Sequence, residues 1–489
     1  MTRKGFLAIV ILLAALPLAL FSQSQYDTTD IKRHLFYLAS DELGGREPET
    51  AGSQKASLYL RDLYAKMGLK LLFDKGFQHF QFINGWTSGD SNVATLNGRK
   101  LQIEKDYVPM DYFQTRLASL DADVVAVWGN INRFKDFEPE FKNRWVMLLP
   151  LCYDSLSVQH RVVKLMRAGA AGVLIVTDSL RPEIDNVYNI PVYKTTNMGP
   201  VVCISPAIAD SLLKGTGETL EKMVVEEILS EETPYTHKNI RKLKQSISVT
   251  THFLPTYTNA KNVVAYLEGS DPVLKNEIIV VGGHYDHLGT KNRISKKTGQ
   301  PVTLIYNGAD DNGSGSVGVL EIAQKYSQQE NRPKRSVIFV NFDAEELGLI
   351  GSKHFFDDTT VINPRNVKAM INLDMIGRYT EDKGVEVMGV NTAEESRELQ
   401  KLISKKSQLK MSFPTSPLLF FGSDHVNFYK LQIPSVFFCT KVHADYHKPT
   451  DTPEKINYQA MSQILQMADR LLDNLANRKK NLHFKEMEF

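Results

Sequence analysis

The chain reads as an α/β protein, a mostly parallel mixed sheet sandwiched by helices, interrupted by a smaller, β-rich α/β domain. Three observations predict this. Between Thr250 and Thr440, short runs rich in β-branched residues alternate with helical patterns, the rhythm of strand and helix layers. Several of those runs, "EIIVVGG" and "SVIFVNF" among them, are apolar without alternating, as strands covered on both faces are. Residues 95–250 carry a separate set, "ADVVAVWGN", "RWVMLLPL", "VVKLMRAGAAGVLIVTDS" and "GPVVCISPAIADSLL", and the charged stretch "EEILSEETPYTHKNIRKLKQ" leads back from them.

Residues 1–24 place Arg3 and Lys4 ahead of an apolar run from Phe6 to Phe21, followed by small and polar residues. This is the pattern of a secretory signal peptide cleaved after Ser22 or Ser24. An uncleaved anchor is disfavoured, because the run is short for a full span and Pro17 breaks it. The mature protein is expected to be exported, to the periplasm or the extracellular space, and to have no stable membrane association. Residues 25–94 begin the main domain. In "GSQKASLYLRDLYAKMG", Ala56, Leu60, Leu63, Tyr64 and Met67 share a helical face, with Ser53 as the expected N-cap and Gly68 as the stop. Residues 95–250 form the insertion and 251–480 complete the main domain. Near its end Met461, Ile464, Leu465, Ala468, Leu471, Leu472 and Leu475 make a second amphipathic stripe.

Composition excludes more than it selects. Lys and Arg total 58 against 56 Asp and Glu, a net charge of +2, which gives nucleic acid or an anionic membrane no electrostatic hold. The cysteines are Cys152, Cys203 and Cys439, too few for a disulfide framework in an exported chain of 489 residues. A Cys152–Cys203 pair stays open, but a buried free thiol is the expected state of each. No G-x-S-x-G turn occurs, so a serine hydrolase of that type lacks its nucleophile. Cys439 with His443 could mimic a thiol enzyme, but a cysteine on an apolar run belongs to the core.

Polar clusters follow the apolar runs: "IIVV" is followed by "GGHYDHLG", "VIFVNF" by "DAEELG", "MINL" by "DMIGR" and "SVFFCT" by "KVHADYHKPTDT". The carboxyl ends of parallel strands share one sheet edge, so these clusters should converge there. The convergent set is His284, Asp286, His287, Asp310, Asp311, Glu345, Glu346, Asp374, His443, Tyr446 and His447. Carboxylates and imidazoles gathered without cysteine suit zinc or another divalent first-row ion, which also removes their mutual repulsion. His284 can ligate while Asp286 holds its other ring nitrogen, and strand alternation turns His287 elsewhere, to line the pocket or serve the structure. Gly313, Gly315 and Gly318 have dinucleotide-motif spacing, but "PVTLIYNGADDN" is a poor strand and two aspartates would face the pyrophosphate. The glycines are better read as letting backbone pack against a metal loop.

Taken together, "GGHYDHLG", "NGADDNGSG", "FDAEELGLIGSKHF", "NLDMIGR", "GSDHVNFYKLQIP" and "DYHKPTDT" resemble, in order and spacing, the co-catalytic zinc aminopeptidase family, which includes glutamate carboxypeptidase-like enzymes. The resemblance covers roughly residues 250 to 475, and "LASDELGGREPETAGSQKA" is similar to the family's N-terminal segment. The insertion resembles a protease-associated domain, most clearly in "LMRAGAAGVLIVTD", and is expected to roof the pocket and limit substrate length. The resemblance implies a zinc exopeptidase fold, two Zn2+ per chain and peptide substrates cleaved at the N-terminal residue. It implies His284 and Asp374 on one ion and Glu346 and His447 on the other. Asp311, just before "NGSG", would bridge them together with a water, leaving Asp310 a structural role. Glu345, expected to diverge from Glu346 on an extended stretch, would be the general base and then protonate the leaving amine. The ions would acidify the water and polarise the scissile carbonyl. Tyr446 resembles a tyrosine that steadies the oxyanion in some members, unless it serves only to pack. Asp451 is expected to support the loop and His443 to line the mouth. A glutamate carboxypeptidase-like enzyme would need an arginine clamp, for which Arg378 is the candidate. A single-zinc glutaminyl cyclase and a non-catalytic receptor-like module are also compatible with this architecture. Nothing in the sequence fixes an oligomeric state.

Overall fold

The computed structural model describes residues 26–111, 116–128, 138–149, 158–177, 199–229, 240–295, 298–330, 332–416 and 422–487. The expected signal peptide and Cys152 lie outside them. Among the described residues, no helix is long and apolar enough to cross a membrane. The chain divides into two units: residues up to 79, 261–345 and 349 onwards form the first, and 80–260 with the tripeptide 346–348 form the second. The sequence placed the corresponding breaks at 95 and 250.

The sheet of the first unit runs, in spatial order, Met411–Ser412, Val385–Met388, Ser435–Cys439, Val367–Leu373, Ile278–His284, Ser336–Phe342 and the C-terminal end of Ile240–Leu267. Its four central strands are mutually parallel. Val385–Met388 and residues 263–267 flank them antiparallel. Because strand side chains alternate, each strand feeds two cores. Ile279, Val281, Val337 and Phe339 pack with residues of helices Thr28–Leu38, Ala51–Lys66, Gly315–Ser327 and Tyr458–Asn477. Val280, Ile338, Val340 and Met370 pack on the other face with Phe355, Phe428 and Ile433. This double burial is why the strands show no polar alternation.

The helix Ala51–Lys66 buries Ala56, Leu60 and Tyr64. Its N-cap is Thr50 and not Ser53: the Thr50 hydroxyl accepts from the Ser53 amide, while Ser53 sits buried inside the first turn. The stop is as expected, with Gly68 at φ +73° beyond the C-cap Met67. Helix Tyr458–Asn477 buries the whole expected stripe from Met461 to Leu475.

In the second unit, Leu117–Val127, Trp145–Leu148, Gly172–Val176 and Val201–Ile204 are parallel neighbours, and Tyr107–Met110 closes the edge antiparallel. The N-terminal part of Ile240–Leu267 pairs antiparallel with both Leu117–Val127 and Val93–Leu96. Here too the strands feed two cores, one around Trp145 and Leu174 and one around Val146 and Val173.

Candidate active site

The parallel register of the first unit aligns the strand ends: His284, the last residue of Ile278–His284, sits opposite Phe342, the last of Ser336–Phe342. Asp374 follows Val367–Leu373 directly, and Asp311 lies in the turn that leads into Gly315–Ser327. Residues from separate chain segments thus meet at one edge. His284 Nε2 is 3.5 Å from Asp311 Oδ1, 3.5 Å from Asp374 Oδ1 and 3.7 Å from Glu345 Oε2. One ligand atom each from His284, Asp311 and Asp374 lies within 4.8 Å of the others, as does one each from His287, Asp311 and Glu346.

Asp311 is common to both trios, and its two oxygens face different imidazoles. Oδ1 faces His284, while Oδ2 is 3.1 Å from His447 Nε2 and 3.9 Å from His287 Nδ1. The expected ligand His447 is in neither trio, although its ring reaches Asp311. His287, which strand alternation was expected to turn away, is fully buried in the second trio. The reason is that Ile278–His284 ends before it, so alternation no longer governs its direction.

Glu345 and Glu346 do not lie on an extended stretch. The strand ends at Phe342, Ala344 takes φ +56°, and the Leu349 amide donates back to the Glu345 carbonyl at 2.8 Å, so the chain turns here. Met375 (φ +56°) and His447 (φ +53°) are left-handed as well, so three non-glycine residues at or beside the site adopt a disfavoured backbone. The Glu345 amide donates to Asp286 Oδ1 at 3.0 Å. The expected Asp286 carboxylate contact to His284 is long, 3.5 Å, and the nearer partner of His284 Nδ1 is the Asp286 carbonyl at 3.2 Å. Asp286 thus holds the Glu345 backbone while lying beside the His284 ring.

The surroundings are anionic. Burial alone would depress the His284 ring, but the Glu345 and Asp374 carboxylates raise its pKa well above the ordinary value. Asp343, held by Tyr285 Oη at 2.8 Å, is pushed up to about 7 by burial and by Asp286. Burial pushes Asp424 up to about 7 as well. Neither stands out in the sequence; both lie inside the motifs that carry the resemblance, but only tertiary burial distinguishes them from solvated aspartates.

The supporting residues fall into place around Asp311. Asp310 is buried, accepts from the Gly377 amide at 2.6 Å and from Ser314 Oγ at 3.0 Å, and points Oδ2 at His443 Nε2, 3.2 Å away. His443, its side chain 7% exposed, is thus a neighbour of Asp310. Asp451 Oδ2 accepts from the amides of Asp310 and Asp311 at 2.9 and 3.1 Å. Arg378 donates to Asp445 at 2.7 Å and reaches Asp451 at 3.5 Å. Tyr446 stacks on His447 with ring centroids 3.8 Å apart and packs against the core around Met375 and Phe437. Gly315 must lack a side chain, because a Cβ there would lie 2.1 Å from the Leu373 carbonyl oxygen.

Residues 262–472, which carry all these groups except the N-terminal segment, match peptidase family M28. The chain's relatives include an uncharacterized Escherichia coli protein, YfbL, 29% identical over 44% of this chain and 71% of that protein. They also include the aminopeptidase YwaD of Bacillus subtilis, 33% identical over 43% of this chain and 44% of that protein. The chain thus spans less than half of YwaD and about 71% of YfbL. A zinc aminopeptidase structure from Bacillus subtilis aligns with 95% of this chain and 100% of its own at a TM-score of 0.54 and 20% identity, a likeness of fold.

Proposed function

We propose that this chain is an exported zinc-dependent aminopeptidase that removes N-terminal residues from peptides. The observation that carries the reading is the Asp311 carboxylate, with one oxygen turned to His284 and the other to His447 and His287. The donor set fits divalent ions: hard carboxylates and imidazoles, with His284, Asp311 and Asp374 buried, at a crowded anionic edge. Asp374 Oδ1 is buried and accepts no hydrogen bond, an oxygen that a cation would satisfy. His284 and Asp374 would hold one zinc, Glu346 and His447 the other, and Asp311 both, with His287 beside Asp311 and Glu346. The relatives' names support zinc and aminopeptidase activity.

Zinc supplies a Lewis acid for the scissile carbonyl and lowers the pKa of water. Glu345, its backbone fixed by Asp286, stands beside the ligand set and is spared from it. Its carboxylate takes a proton as the water oxygen bonds to the peptide carbon, and returns it to the amine nitrogen as the C–N bond breaks. Tyr446, stacked on His447, would steady the oxyanion unless it serves only to pack. The Arg378 guanidinium, the candidate clamp of a carboxypeptidase, is engaged by Asp445 and Asp451, which favours the aminopeptidase reading. The second unit is read as a protease-associated-like module.

Metal analysis beside a panel of aminoacyl and peptidyl substrates, with Glu345→Gln in parallel, tests this. About two zinc ions per chain are expected in both proteins. The variant is expected to lose about 100- to 10,000-fold in kcat. Equal turnover would remove Glu345 from its role. One metal per chain with ammonia release from N-terminal glutamine would favour the cyclase.

A further inference from the structure

We propose that Arg46 is a positioning residue of the metal centre, locking two ligand-bearing loops together through their backbone carbonyls. The inference rests on the zinc peptidase reading. Arg46 lies in the "LGGRE" stretch of the N-terminal segment, far from every ligand in sequence, and its side chain is fully buried. Nε donates to the Tyr285 carbonyl at 2.7 Å, between His284 and Asp286. Nη1 donates to the Asn307 carbonyl at 2.6 Å and the Leu38 carbonyl at 2.5 Å, and Nη2 to the Gly308 carbonyl at 2.9 Å. One planar cation therefore grips both the loop after His284 and the loop before Asp310 and Asp311.

The neighbouring backbone completes the grip. The His287 amide donates to the Arg46 carbonyl at 3.4 Å, and the Gly289 amide donates to the Gly45 carbonyl at 3.1 Å. Gly45, at φ +76°, lies between the loops: a Cβ there would be 2.5 Å from both the Gly289 and Tyr306 carbonyl oxygens. On the far side of the second loop, Asp451 accepts from the Asp310 and Asp311 amides. The segment 307–311 is held with carbonyls on a cation and amides on an anion, which fixes where Asp311 stands. Burying a guanidinium is unfavourable unless its donors are satisfied, and here carbonyls satisfy them in the fork geometry that only arginine has. A lysine ammonium has no planar fork to span the two loops.

The test uses Arg46→Lys and Arg46→Met in the full chain. Each is checked for folding by circular dichroism, stripped with a chelator and titrated with zinc, and its cobalt-loaded absorption spectrum is recorded. Zinc affinity is expected to fall about 10- to 100-fold in both, as for groups that orient metal ligands. The cobalt spectrum should shift, and kcat should fall while KM stays near that of the wild type. Added guanidinium should restore activity to a third variant, Arg46→Ala, and not to Glu345→Gln. Folded variants with wild-type zinc affinity and an unchanged cobalt spectrum would overturn the proposal. So would an Arg46→Lys chain that fails to fold in saturating zinc, which would make the role purely structural. A wild-type chain that takes up no metal would instead overturn the peptidase reading beneath it.

Discussion

Glu321 is a buried acid that should make this protein less stable as pH rises, and Glu321→Gln isolates the effect. The side chain projects from helix Gly315–Ser327 and is only 5% exposed. Burial raises its carboxyl pKa from the ordinary 4.5 to about 8, with Asp30 adding to the shift. Its neighbour His34, 3.9 Å away, supplies no counter-charge at neutral pH, because burial depresses that ring to about 4. Between pH 4.5 and about 8 the folded chain keeps a proton that the unfolded chain has released, so folding loses stability as pH rises through that window. A shift of roughly 3.5 units at about 1.4 kcal/mol per unit sets a ceiling of ~5 kcal/mol. Glutamine keeps the shape and cannot ionise, so the variant should gain about 2 to 4 kcal/mol on the wild type between pH 5 and pH 9. Urea unfolding of both proteins at pH 5, 7 and 9 measures this, since titrating groups remote from Glu321 cancel in the difference. A stability difference that stays flat across that range would refute the reasoning.

Two further outcomes follow from the site's supports. Asp286→Ala removes the acceptor of the Glu345 amide and should lower kcat about 10- to 100-fold with bound zinc retained; steady-state kinetics with metal analysis checks it, and unchanged kcat would free Glu345 from this anchor. Asp451→Ala leaves the buried amides of Asp310 and Asp311 unpaired, at about 1 to 3 kcal/mol each. Urea unfolding of the metal-free protein should then show a loss of about 2 to 6 kcal/mol, and a loss below about 1 kcal/mol would mean that other groups hold the loop.

Much of the site could be read in the sequence because parallel strands put their carboxyl ends together. A polar cluster after each apolar run brought His284, Glu346 and Asp374 into the convergent set, the resemblance marked these and Asp311 as ligands, and the structure gathers His284, Asp311 and Asp374 in one trio and Asp311 and Glu346 in another. The reading failed where it carried strand geometry past the end of a strand. His287 was turned away by an alternation that stops at His284, and the two glutamates were set on an extended stretch that is in fact a turn. Residue type alone suggests Ser53 as N-cap, but the cap is the residue whose backbone leaves the helix, Thr50.

Residue type and order alone determined the layered α/β architecture and the hard, cysteine-free ligand chemistry, because hydrophobic patterning and donor type are local properties. What each carboxylate does was decided only in three dimensions. Asp343, Asp424 and Glu321 differ from solvated acids by burial, Asp286 and Asp451 differ by which amides they meet, and Arg46 by the four carbonyls around it. Those surroundings come from segments as far apart as residues 38 and 308. The energy of a charge depends on its neighbours in space, which no stretch of sequence contains.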